Sequence, residues 1–166
     1  MEIERKFLVK NKSIIDKIIK DYSKKEIVQD YLYIDDYTAV RKRKININSI
    51  EKYTYTVKTM KTGISVNEFE KEIDLNEYNS LKLNENYITL VKDRYVVPYL
   101  NDLKIEIDVF HGVYEGIIFA EIEFTDEKQA KETILPQWFE KDISTLFSNS
   151  QLAIRNIKEE IKWYWK

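Results

Sequence analysis

Polar and apolar positions alternate along most of this chain with the two-residue period of a β-strand. In many of these stretches one face is charged. In Glu2-Ile3-Glu4-Arg5-Lys6-Phe7-Leu8-Val9, the side chains of Glu2, Glu4 and Lys6 share one face, and Ile3, Arg5 and Phe7 share the other. The pattern predicts further strands over Glu26 to Ile34, Thr38 to Ile47, Tyr53 to Met60, Ser65 to Leu75, Lys104 to Phe110 and Ile117 to Phe124. Ile88 to Tyr99 reads as one bent strand or a strand pair, with Pro98 at an edge or end. Asp35-Asp36, Asn46 to Glu51, Gly63, His111-Gly112 and Gly116 supply the turns.

Helical spacing appears in fewer places. Ser13 caps a predicted helix over Lys12 to Lys25, with Ile14, Ile15, Ile18, Ile19 and Tyr22 on one face. Asn76 to Leu83 reads as a short helix capped by Asn76. Asp126 caps another that runs through Ile134 and stops at Pro136. Trp138 to Phe147 is short helix or irregular. Ser150 caps a last helix with an apolar ridge of Ala153, Ile157, Ile161 and Tyr164, followed by the Trp163-Tyr164-Trp165 tail. No repeat or linker interrupts the 166 residues, which predicts one domain over 1–166.

Composition narrows the partners. The chain is 43% hydrophobic and 34% charged, a folded rather than a disordered profile. Its 27 Lys and Arg nearly balance its 29 Asp and Glu, so net charge points to neither nucleic acid nor membrane. The absence of Cys removes disulfides, zinc-thiolate sites and thiol catalysis. With no leader-like or spanning segment read, a cytoplasmic protein is expected.

The charges are sorted by strand. Arg41/Arg43, Lys58 and Lys92/Arg94 are basic groups, whereas Glu2/Glu4, Glu68/Glu70/Glu72 and Glu121/Glu123 are acidic ones. Carboxylates at i and i+2 lie about 7 Å apart at ~3.3 Å per residue. They repel by roughly 2 kcal/mol at an effective dielectric near 20. A solvated sheet face accommodates this, and so does a closed barrel whose lumen opposes a cationic wall to a carboxylate wall around a metal-bridged polyanion. The residue pattern leaves both open.

Glu2-Ile3-Glu4-Arg5-Lys6 resembles the Glu-x-Glu-x-Lys signature of the CYTH domain, the triphosphate tunnel metalloenzyme superfamily. The likeness continues in order through Gln29-Asp30-Tyr31-Leu32, Arg41-Lys42-Arg43, Thr56-Val57-Lys58, Glu68 to Ile73, Lys92-Asp93-Arg94-Tyr95, Glu106 to Gly112, Ala120 to Glu123, and Asn149 with Leu152-Ala153. The resemblance implies an α+β fold: a closed eight-stranded antiparallel β-barrel, or tunnel, with a charged interior and helices packed outside. Three departures stand out. Val66-Asn67 replaces a customary Arg, Glu140 a Gly, and Asp142-Ile143-Ser144 a Glu-Val-Thr; the latter two changes are expected to concern docking of the last helix.

By the same resemblance Glu2, Glu4, Glu121 and Glu123 are candidate ligands of Mg²⁺ or Mn²⁺. Lys6, Arg41, Arg43, Lys58, Lys92 and Arg94 are candidate phosphate binders, with Glu106 and Asp108 among the acids that would position them. Tyr31 and Lys58 form a candidate dyad for the attacking water. His111 is assigned no chemistry. The implied activity is metal-dependent hydrolysis of a small triphosphate, with inorganic tripolyphosphate ahead of ATP, as in bacterial single-domain inorganic triphosphatases. A class IV-like adenylate cyclase, a thiamine-triphosphatase and a non-catalytic polyphosphate or nucleotide binder are the alternatives. A homodimer stays open.

Overall fold

The computed structural model describes residues 2–62 and 65–165, so the connection read at Gly63 lies outside the described residues. The chain begins with β1 (Glu2–Leu8), α1 (Lys12–Ile19), β2 (Lys25–Ile34), β3 (Thr38–Ile47), β4 (Ile50–Thr62) and β5 (Ser65–Ile73). It continues with α2 (Leu75–Ser80), β6 (Leu90–Pro98), β7 (Lys104–His111), β8 (Ile118–Phe124) and α3 (Glu127–Glu132). A two-residue β9 (Lys141–Asp142), α4 (Asn149–Ile154) and α5 (Lys158–Trp163) complete it. The strands pair antiparallel in the order β5-β4-β3-β2-β6-β7-β8-β1, and β1 returns to β5, which closes an eight-stranded barrel. No helix among the described residues is long and apolar enough to cross a membrane.

The closing seam is short. On one edge of β1, Glu2 and Ile3 pair with Val66 and Ser65 of β5, while Phe7 and Leu8 pair with β9. Strands β1 and β5 therefore part after Ile3. Elsewhere the ladders are long, and the β3–β4 hairpin turns at Asn48 and Ser49, both at positive φ as a two-residue hairpin turn requires.

Apolar burial is split between two places. Outward-facing Ile3, Ile105, Ile107, Ile122 and Phe124 pack with Val9, Ile15 and Ala130 under α1 and α3. Inward-facing Leu8, Tyr31, Leu90, Phe110 and Phe119 gather at one end of the barrel, where Ile143, Leu152, Ile157 and Ile161 cover them. The middle of the lumen is left to charged side chains.

Several boundaries differ from the sequence expectation. Helix α1 ends at Ile19 rather than Lys25, because residues from Lys25 onward are taken into the ladder with β6. Its cap is Asn11, which accepts from the Ile14 amide, and not Ser13. Helix α2 starts one residue early on an Asp74–Glu77 capping box, so Asn76 is not its cap. Within Ile88 to Tyr99 the chain forms the single strand β6, Leu90–Pro98. The last helix is two helices, the first capped by Ser148 rather than Ser150 and the chain extended at Arg155 between them. Glu140, Asp142 and Ser144 lie along β1 instead of the last helix: Glu140 accepts from the amides of Lys10 and Asn11, Asp142 pairs with Arg5 at 2.7 Å, and Ser144 accepts from the Lys6 amide. In the tail, Tyr164 and Trp165 pack on the end cluster while Trp163 stays exposed.

Tyr114 explains the break before α5. Its buried hydroxyl shares its one proton between the carbonyls of Leu152 and Arg155, at 2.6 and 2.9 Å, and accepts from the Ile157 amide at 3.2 Å. Tyr114→Phe should cost about 1–3 kcal/mol in denaturant unfolding by leaving those groups unpaired. It should also speed hydrogen exchange at the Ile157 amide, and unchanged exchange there would contradict this account.

A candidate active site between walls of opposite charge

Strand order converts the sorted charges into two walls. Residues paired across a ladder point to the same side, so Lys58 faces inward with Glu68, Arg41 with Thr56 and Glu70, and Arg43 with Gln29. The adjacent strands β7, β8, β1 and β5 contribute Glu106 and Asp108, Glu121 and Glu123, Glu2 and Glu4, and Glu68, Glu70 and Glu72. The adjacent strands β4, β3, β2 and β6 contribute Lys58, Arg41 and Arg43, the neutral Gln29 and Tyr31, and Lys92 and Arg94. Lys6 is a base set within the acidic wall, 3.6 Å from Glu121.

Between the walls, at the parting of β1 from β5, lies a cavity of about 360 Å³ lined by Glu4, Lys6, Tyr31, Arg41, Lys58, Ser144, Thr145 and residues 148–151. Val66, of the Val66-Asn67 pair that stands where the family resemblance expects an Arg, also lines it. The six bases grouped by the sequence are not equivalent. Lys92 is fully buried and donates to Asp108 at 2.7 Å and to Asn149 at 3.1 Å. Arg94 grips Asp108 through two nitrogens at 2.7 and 2.9 Å and reaches Glu106 at 3.1 Å. These two are tied up within the protein. Lys58 donates to Glu2 at 3.0 Å and approaches Glu68 at 4.0 Å. Arg41 comes no nearer than 3.8 Å to Glu68, and its buried Nε has no hydrogen-bond partner among the described residues. Arg43 rests on the side-chain oxygen of Gln29. Tyr31 and Lys58 share the cavity wall, but no hydrogen bond joins them in the structure: the Tyr31 oxygen accepts from Gln29, and Lys58 donates to Glu2.

Protonation follows this crowding. The neighbouring Glu121 charge, then burial, push the Glu4 carboxyl up to about 8. Burial and the shared hydrogen bond with Glu68 raise Glu2, and burial and the Glu2 charge raise Glu123. Burial would raise Glu121 too, but Lys6, with Arg94 and Lys92, holds it at about 2. Burial and Arg41 would lower Lys58, yet Glu4, Glu2 and Glu68 outweigh them, so it remains an ammonium. Burial would raise Asp108 as well, and Arg94 and Lys92 keep it well below the usual carboxylate range. Among the described residues no three carboxylates close on one point as a finished cage. The hard oxygen donors of Glu2, Glu4, Glu121 and Glu123, and a Glu4 that takes up a proton because Glu121 is charged, fit a divalent cation that would relieve the repulsion.

Gln29 and Asn149 stand in the ordered series of the family resemblance but are given no role there, and the hydroxyl-bearing residues Ser144, Thr145, Ser148 and Ser150 carry no signature of their own. His111, on the outside, is held between Asp93 at 2.7 Å and Glu115 at 3.2 Å.

A closed antiparallel barrel whose lumen opposes carboxylates to guanidinium and ammonium groups defines a charged-tunnel protein. The CYTH domain model matches residues 1–153, and the chain belongs to that family. It is 32% identical over 166 residues to an inorganic triphosphatase of Acetivibrio thermocellus, covering 95% of this chain and 98% of the relative. An inorganic triphosphatase of Nitrosomonas europaea is 29% identical over 104 residues, 61% of this chain and 68% of the relative. A crystal structure of an inorganic triphosphatase superposes with a TM-score of 0.60 at 26% identity, covering 93% of this chain and 95% of that one.

The raised Glu4 has a consequence for stability. Its folded pKa of about 8 lies above the ordinary 4.5, so the metal-free protein gives up stability as pH rises from that ordinary value through the folded one. Glu4→Gln mimics the protonated form and should melt higher than the metal-free parent, by a margin that grows between about pH 5 and 8.5. A margin that stays flat in calorimetry across that range would contradict the Glu4–Glu121 repulsion.

Proposed function

We propose that the chain hydrolyses inorganic tripolyphosphate in preference to nucleoside triphosphates, with Mg²⁺ or Mn²⁺ held on the carboxylate wall. One observation carries this reading: both walls are incomplete in complementary ways. Arg41 comes no nearer than 3.8 Å to Glu68, Arg43 has no carboxylate within 4 Å among the described residues, and on Glu4 the Glu121 charge and burial outweigh Lys58 and Lys6. A metal–polyphosphate complex supplies the missing anion to one wall and the missing cation to the other.

The proposed metal ligands are Glu2, Glu4, Glu121 and Glu123. Bound there, a divalent cation would neutralise phosphate oxygens and polarise the transferring group. Lys6, Arg41 and Lys58 line the cavity and are the proposed direct phosphate contacts, the guanidinium as a fork and the ammoniums as point charges. Arg43 adds charge from behind, while Lys92 and Arg94, fixed by Asp108, hold the deep end of the basic wall in shape. Tyr31 and Lys58 are assigned to the terminal phosphoryl group and its attacking water. In the reaction a water oxygen bonds to the terminal phosphorus, the bridging P–O bond breaks, and orthophosphate and pyrophosphate leave. Such chemistry depends chiefly on placement and on charge stabilisation, so a strong dedicated base is not required. The balanced net charge supports a small-molecule substrate over nucleic acid, and the cysteine-free composition fits a reducing cytoplasm.

Purified protein given tripolyphosphate, ATP or thiamine triphosphate with Mg²⁺ or Mn²⁺ should release phosphate fastest from tripolyphosphate and stop on chelation. Equal or faster turnover of ATP would remove the substrate assignment, and cyclic AMP with pyrophosphate as products would mark a cyclase. Glu4→Gln should abolish turnover without unfolding the chain. Because a cation must displace the Glu4 proton, Mg²⁺ affinity by calorimetry should rise with pH up to about pH 8.

A further inference from the structure

Gln29 stands in the middle of the basic wall and is fully buried. It lies directly across the ladder from Arg43, one inward position from Tyr31. The Nε and one terminal nitrogen of Arg43 both donate to its side-chain oxygen, at 2.9 and 2.5 Å. Its amide nitrogen donates to the Tyr31 hydroxyl oxygen at 2.9 Å. Elementary chemistry fixes the direction of this relay. A guanidinium has donors only, so the Gln29 oxygen must face Arg43 and its NH₂ must face Tyr31. The Tyr31 oxygen then accepts, and its own proton is left for whatever occupies the cavity that Tyr31 lines.

The neutrality of Gln29 matters as much as its geometry. Among the described residues Lys6, Arg41, Lys58, Lys92 and Arg94 each have a carboxylate within 4 Å, and Arg43 has none. Burial, then Arg41 and Arg94, lower the Arg43 pKa to about 9, which still leaves it a cation at neutral pH. Its charge stands uncompensated behind the cavity-lining Arg41, where a phosphate anion would feel it.

We propose that Gln29 is a positioning residue for this site: it fixes the Arg43 fork and the Tyr31 hydroxyl together and, being uncharged, leaves the positive charge of Arg43 to the substrate anion. The proposal rests on the triphosphate reading of the tunnel. A glutamate would fit the same space but act oppositely on both neighbours. It would neutralise Arg43, and as an acceptor it would turn the Tyr31 proton away from the cavity. A leucine would keep the volume and leave Arg43 donors unpaired.

The test uses full-length Gln29→Glu and Gln29→Leu, read by thermal midpoint, by KM and kcat for tripolyphosphate, and by calorimetric binding of tripolyphosphate to the metal-free protein. Gln29→Glu should melt no lower than the parent, because a buried cation gains a counter-charge. Its KM should nevertheless rise about tenfold or more, with a matching loss of metal-free affinity, as expected for cancelling one charge near a bound anion. Gln29→Leu should melt lower. Parental KM and affinity in Gln29→Glu would overturn the proposal, as would equal losses of midpoint and activity in both variants, the mark of simple packing. If the parent binds tripolyphosphate without cleaving it and Gln29→Glu loses that binding, hydrolysis falls while the role of Gln29 stands.

Discussion

An ionisable side chain taken out of water must find a partner or change its protonation state, and the lumen of this barrel shows both outcomes a few residues apart. Around Asp108 every charge is met: Lys92 and Arg94 hold the carboxylate from two directions, and Arg94 also reaches Glu106. Towards the cavity the pairing runs out. Glu4 takes up a proton in place of a cation, Arg41 keeps an idle Nε, and Arg43 leans on a neutral amide. The self-satisfied end keeps the walls in register, and the unsatisfied end is where ligand charge is wanted.

Apolar packing is arranged around that requirement. Most small domains bury their aliphatic side chains between the two faces of their layers. Here the inner face is given to charge. Aliphatic residues instead lie outside, beneath α1 and α3, and at one end, where α4 and α5 cover Leu8, Phe110 and Phe119. Lys42 shows the economy of the outer surface. It points away from the lumen, lies 4.1 Å from the Tyr78 ring centre, and its ammonium donates to the carbonyls of Tyr78 and Leu81, which ties α2 to β3. The short β1–β5 seam, with β9 taking over the same edge of β1, leaves the cavity beside Glu4 and Lys6.

The chain alone determined the strands, their alternation and the sorting of charge by strand, because side-chain direction in a strand depends only on local backbone period. The strand Glu2 to Leu8 and the shared face of Arg41 and Arg43 were legible in this way, and the helix capped by Asp126 was legible from its cap. Element ends were less so. Ser13, Asn76 and Ser150 are as competent to cap as Asn11, Asp74 and Ser148, and only the packed geometry selects among them. The break at Arg155 depends on the Tyr114 hydroxyl, roughly forty residues away in sequence, and no local window contains it.

Strand order was decided by the tertiary structure, and with it the chemistry of the site. The sequence could group Arg41, Arg43, Lys58, Lys92 and Arg94 as bases, but not say that β4, β3, β2 and β6 stand side by side. Nor could it separate the pair locked by Asp108 from Arg41 and Lys58, which line the cavity, or show that Gln29 joins Arg43 to Tyr31. Periodicity assigns a side chain to a face. Which charge meets which depends on distances between strands far apart in the chain, and those distances exist only once the barrel is closed.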